Sequence, residues 1–226
     1  MRLCLSGFDE ALDLGSDAVS VLEIHQPTLF SRVCQSLFSE LDGEALEPYA
    51  LWEGEDQRSS KNRFLFVFNP FDLPWSERCL IGEVHERVEG LFLSDDGVRQ
   101  RIEEMGRMLS DQVASLGLQL QSDYAYEVQC DMRKYLKAFD FGVEVDPSDS
   151  LFDNLMKFLK FTSDAEFDRQ LVFVNLKSFL AQNEVQEFYR QAVFSGLNVL
   201  LLENSFDDAS FEYERKMRID RGFLQS

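Results

Sequence analysis

From Leu171 to Asn204 the chain reads LVFVNLKSFLAQNEVQEFYRQAVFSGLNVLLLEN, and no other stretch restricts the fold so tightly. It opens with the apolar run Leu171 to Val174 and closes with Val199 to Leu202. Runs this short and this apolar suit strands buried on both faces. One amphipathic helix lies between them. Asn183 is a good N-cap, and Gln186 follows at capping-box spacing. Val185, Phe188, Tyr189, Ala192 and Val193 fall on one face, and Gly196 suits the helix stop. Strand, crossover helix and strand form a βαβ unit, which requires parallel strands and a right-handed connection.

The rest of the chain extends this pattern at both ends. Arg2 to Ser6 alternates apolar and polar residues and reads as a strand. Val19 to Ile24, VSVLEI, reads as a second, and Phe64 to Phe68, FLFVF, as another. A helix is expected from Thr28 to about Leu41, with Leu29, Val33 and Leu37 inward. Leu41 to Asn62 is acidic, carries Gly43, Pro48 and Gly54, and reads as a surface loop. From Trp75 the period becomes helical. Trp75 to Leu93 presents Leu80, Val84, Val88 and Leu91, and a second helix presents Val98, Ile102, Met105, Leu109, Val113 and Leu116. That stripe is expected to close an intramolecular bundle with a third helix, Tyr124 to Phe139. Phe141 to Val145 reads as a turn or short strand, and Ser148 to Ser150 caps a helix running through Phe161. A last short strand is expected near Ile219. The fold class is therefore α/β. A head of residues 1–74 and 143–226 carries a mainly parallel sheet, and an α-helical arm, residues 75–142, is inserted into it.

The 226 residues, 45% of them hydrophobic and 21 of them Phe, suffice for one sizeable core. The net charge of −19 works against a protein that coats nucleic acid, because phosphate contacts need Lys and Arg. The charge is uneven: residues 1–57 carry −10, residues 58–141 only −3, and residues 142–226 −6. Two readings of the middle segment stand side by side, a solvated helical surface of mixed charge and a local basic surface. No apolar run is long enough to span a bilayer, and MRLCLSGFDEALDLG lacks a signal-peptide core. A cytoplasmic protein without membrane contact is expected. Cys4, Cys34, Cys79 and Cys130 are dispersed and only His25 and His85 accompany them, which makes free thiols the simplest reading.

Catalytic patterns are absent. The loop Glu23-Ile24-His25-Gln26-Pro27-Thr28 has neither the glycines nor the lysine of a phosphate cradle. Asn69 and Asn175 stand where a magnesium-binding Asp would follow a strand, and amides are weaker ligands. There is no Gly-x-Ser-x-Gly elbow. His25 reads as structural and His85 as exposed. Neither an enzyme nor a nucleotide cofactor is expected. Two clusters remain. Asp123, Glu127, Asp131, Glu144, Asp146, Asp149 and Asp153 form either a solvated acidic surface or an oxygen-rich cation site. Arg133, Lys134 and Lys137 lie on the third helix, and Arg99 and Arg101 open the second. These five are candidates for DNA-backbone contact, and equally for ordinary surface charges.

Four stretches, VSVLEI (19–24), KAFDFGVEV (137–145), SDSLFDNLMKFLKF (148–161) and LVFVN…SFL…NEV…LNVLLLEN (171–204), share their order and spacing with one family. The chain resembles the short form of the Csn-two family, the type II-A CRISPR-associated spacer-acquisition proteins. The resemblance implies a degenerate P-loop NTPase-like head with a helical leg, assembled as a ring-shaped homotetramer. It implies sequence-independent binding of double-stranded DNA ends inside the ring, without catalysis. It also implies work alongside the CRISPR integrase complex and the type II effector nuclease. Calcium stabilises such rings, and Asp123, Glu144 and Asp146 are the matching ligand positions here. One departure is visible: Gln119 and Gln121 stand where relatives carry acids, which lowers the ligand charge. The alternative is a protein-interaction scaffold whose NTPase-like head binds no DNA.

Overall fold

The apolar runs of the sequence form the middle of a parallel sheet. The structure, a computed structural model, describes residues 1–122, 124 and 131–219. In chain order the strands are β1 (Arg2–Leu5), β2 (Ala11–Asp13), β3 (Val19–Ile24), β4 (Tyr49–Glu53), β5 (Asp56–Arg58), β6 (Phe64–Val67), β7 (Gln170–Val174), β8 (Asn198–Glu203) and β9 (Glu214–Ile219). The helices are α1 (Pro27–Ser39), α2 (Arg78–Ser94), α3 (Asp96–Gly117), α4 (Met132–Ala138), α5 (Leu151–Asp164) and α6 (Gln182–Phe194). The chain divides into two compact units, Met1–Trp75 with Glu144–Ser226, and Ser76–Val143.

The first unit is built on five parallel strands in the order β6-β7-β8-β3-β9. One face packs on α1 and on a four-stranded antiparallel sheet, β2-β1-β4-β5, through Leu22, Leu200 and Val172 against Leu37, Leu3 and Leu51. The other face meets α5 and α6, where Phe173 makes edge contacts with Phe158 and Phe188 at centroid distances of 6.5 and 5.5 Å. Both faces are thus dry, as the unbroken apolar runs required. Truncating one of these buried side chains to Ala costs about 2–5 kcal/mol.

The antiparallel sheet corrects the expectation of a loop over 41–62. Tyr49 and Leu51 are buried, Ala50 and Trp52 on the other face are half-buried, and Asp56–Arg58 is wholly exposed. A strand with one dry face, paired to a fully polar edge, carries little apolar signal. Gly54, at φ 63, supplies the turn between them. Helix α6 starts at Gln182, one residue before the expected cap, because Glu184 Oε2 accepts from the Ala181 N–H at 2.7 Å. No strand forms over Phe141 to Val145.

In the second unit Phe92 of α2 packs with Met132 and Leu136 of α4, flanked by Val88 and Ile102. Of the expected third helix only α4 is described, residues 125–130 lying outside the described residues, and among the described residues the bundle does not close around α3. None of its 22 residues is buried, and Met105, Leu109, Val113 and Leu116 are each more than half exposed. Leu91, expected inward on α2, is exposed too, and Phe92 takes its place. His85 is buried, correcting the expectation of an exposed ring, and its Nε2 lies 3.0 Å from the Phe141 carbonyl.

Candidate nucleic-acid interface

The five candidate DNA contacts all lie in the second unit, yet they differ in how free they are. On α3, Arg99 is engaged by Asp96 at 2.7 Å and Glu103 at 3.9 Å, both within the helix. Two residues on, Arg101 is exposed and has no ion-pair partner among the described residues. Asp131 caps α4 by accepting from the Lys134 N–H at 3.1 Å, and its carboxylate also lies 3.7 Å from Lys134 Nζ. Arg133 reaches back to α2, where Glu89 stands 2.6 Å and Glu86 3.5 Å away. The hydrogen bond that Arg133 donates to Glu89, and the charge of Glu89, hold the guanidinium still more firmly protonated. Lys137, in the last turn of α4, is exposed and unpaired among the described residues. Arg101 and Lys137 are therefore the cations open to a phosphate without first releasing an acid. Exposed ion pairs are weak, so Arg99, Arg133 and Lys134 remain exchangeable.

The proposed calcium ligands are only partly in view. Asp123 lies outside the described residues. Glu144 and Asp146 sit on the exposed approach to α5. Ser148 donates to Asp146 Oδ1 from its hydroxyl at 2.7 Å and its N–H at 2.8 Å, which holds that carboxyl below the usual range. Lys157, bonded to Asp149, adds its positive field to the same stretch. Among the described residues no three His, Cys, Asp or Glu side chains converge on a metal-sized space.

The carboxyl edge of the parallel sheet, where open α/β sheets usually seat ligands, is occupied by the chain itself. Glu23 of β3 and Glu203 of β8 are neighbours in register, and both are buried. Arg218 of β9 donates to Glu23 at 2.9 Å. Lys177 lies 3.4 Å from Glu23, 3.2 Å from Asp207 and 3.1 Å from Glu214, and Lys216 joins from β9. Burial works against the Lys177 ammonium, but these carboxylates outweigh it and raise its pKa. The N-terminus of α1 is capped internally by Gln26, which accepts from the Leu29 N–H, with Pro27 in the first turn. Asn175 accepts from the Asn204 N–H at 3.0 Å, a structural role. This buried network escaped the reading of the sequence, although VSVLEI and NVLLLE each place one acid at the end of an otherwise apolar run.

The family model for CRISPR-associated protein (Cas_Csn2) matches residues 46–220, well over half of the chain. The chain belongs to the Cas_Csn2 family. The match spans Arg99, Arg101, Arg133, Lys134 and Lys137 as well as the Lys177 network. No curated protein sequence matches this Cas_Csn2 chain. Among solved structures it is similar to the crystal structure of Stu0660 of Streptococcus thermophilus, with a TM-score of 0.59 and 12% identity over 96% of this chain and 74% of that one. At that identity the likeness concerns the fold alone, an α/β protein with a parallel sheet. Among the described residues of this Cas_Csn2 protein no helix is long and apolar enough to cross a membrane.

Proposed function

We propose that this protein binds the ends of double-stranded DNA, without regard to sequence and without catalysis, inside a homotetrameric ring during CRISPR spacer acquisition. The integrase complex and the type II effector nuclease are its partners in that reading. Membership of the Cas_Csn2 family is the observation that carries it. Arg101 and Lys137, exposed and without an ion-pair partner among the described residues, add local support in a chain of net charge −19. Four copies facing one lumen would concentrate those cations on the duplex, while the acidic exterior repels it and favours entry from an end. Phosphates are the contacted groups, so base identity does not enter.

A degenerate NTPase-like head fits the same reading. Glu23 and Glu203 place carboxylates where a nucleotide phosphate would approach the sheet, and Gln26 fills the α1 terminus. The scaffold reading draws on a different observation, the exposed apolar stripe Met105, Leu109, Val113 and Leu116 of α3.

A mobility shift at low salt separates the two. Linear duplex and covalently closed circular duplex of one sequence are compared, with and without calcium, for the wild type and for Arg101→Glu combined with Lys137→Glu. The expected result is a shift of linear DNA alone, strengthened by calcium, and a loss of at least about tenfold in the charge-reversed variant. Equal binding of both DNAs removes the ring. Binding of neither favours the scaffold.

A further inference from the structure

The first unit holds a polar cavity of about 290 Å³ at the N-terminal ends of β7 and β8, beside the antiparallel sheet. Arg58, Arg63 and Arg169 line it, with Glu53 and Asp168 as the acids. Arg58 is engaged by Glu53 at 3.0 Å and by Asp56 at 3.8 Å. Arg63 and Arg169 have no ion-pair partner among the described residues. The register that sets Phe64 beside Gln170 brings these two arginines to adjacent strand starts. Their guanidinium donors are thus available in a chain that is otherwise strongly acidic.

Gln170 supplies the second observation. It lines this cavity, is only 1% exposed, and neither its Nε2 nor its Oε1 has a hydrogen-bond partner. Its direction follows from strand alternation. Gln170 and Val172 share a face of β7, and Val172 belongs to the core between the two sheets, so the amide points toward the layer that carries Glu53 and Arg58. A buried amide unpaired at both ends is rare in folded proteins and calls for a partner from outside the chain.

We propose that this cavity is a phosphate-binding site for a small phosphomonoester. Arg63 and Arg169 grip the phosphate oxygens through paired N–H donors, the geometry for which guanidinium is best suited. Both amide atoms are sealed from solvent, so Gln170 turns its side chain into the cavity before Nε2 donates to a phosphate oxygen and Oε1 accepts from a hydroxyl of the ligand. The cavity lies at the small end of ligand sites, which admits a phosphate with a sugar-sized remainder and excludes a dinucleotide. The site depends neither on the ring nor on DNA threading, and it shares no residue with the proposed DNA contacts.

Titration calorimetry on the full chain tests it, with inorganic phosphate and a nucleoside 5′-monophosphate as probes and chloride holding the ionic strength constant. The wild type is expected to bind phosphate, and Arg63→Gln with Arg169→Gln to weaken it at least about tenfold. Gln170→Leu is expected to lose affinity several-fold while its thermal midpoint without phosphate rises, since leucine leaves no buried amide unpaired. Tighter binding of the monophosphate than of inorganic phosphate means that the cavity also reads the organic part; equal binding means that it reads phosphate alone. No binding to the wild type up to about 10 mM of either probe, or unchanged affinity in the arginine variant, overturns the site. Unchanged affinity in Gln170→Leu overturns the role of the amide.

Discussion

Glu203 is a carboxylate with half of its bonding met. Oε1 accepts the Lys177 N–H at 3.0 Å, and Oε2 is buried without a partner. Burial raises this carboxyl to about 7, against the pull of the Lys177 N–H and ammonium, and nearby Glu23 adds to the rise. An unfolded glutamate titrates near about 4.3. Between those two values the folded state keeps a proton that the unfolded state has released, so stability falls as pH climbs through that window and then levels off. Glu203→Gln removes that dependence. It is expected to be more stable than wild type by about 1–3 kcal/mol at pH 8 and nearly equal to it at pH 4.5, as read by urea unfolding. A difference that does not change with pH would assign the raised pKa elsewhere.

At the next scale, α5 shows how local chemistry fixes an element. Ser150 Oγ accepts from the Asp153 N–H at 3.1 Å, and Asp153 accepts from the Ser150 N–H at 3.3 Å and hydroxyl at 2.6 Å. Ser150→Ala is expected to cost about 1 kcal/mol in urea unfolding. Adding Asp153→Ala is expected to cost less than the two single losses together, because each lone change already breaks the reciprocal pair. This helix was legible in the sequence, as were β3, β6, β7 and β8, because burial on both faces leaves an unbroken apolar run. β4 and β5 were not, since a strand with one dry face beside a fully polar edge mimics a loop. The exposure of α3 was hidden as well: periodicity reveals that a face is apolar, not that anything covers it. The basic cluster was legible as residues, but its electrostatics were not. Arg133 meets Glu89 from 44 positions away, and no spacing rule foretells that Lys137 has no ion-pair partner among the described residues while Arg133 is held.

For the whole molecule, the proposed ring has a quantitative signature. Arg101 and Lys137 of each subunit in four copies give about eight phosphate contacts, hence a slope of about −7 in log affinity against log salt. Raising salt from about 50 to about 200 mM should then weaken binding by roughly four orders of magnitude in a filter-binding assay. A slope shallower than about −2 would mean that other forces hold the DNA. The placement of β3 carries a different consequence, for how the molecule comes into being. β3 lies between β8 and β9, so a strand made at residues 19–24 has both neighbours at residues 198–219. On the ribosome it must wait, apolar and unpaired, until almost all the rest has emerged. The unit Ser76–Val143 is contiguous and can fold in that interval. Closing so long a loop late makes sheet completion the slow step of folding, and makes the nascent chain, rather than the finished protein, the form most in need of a chaperone.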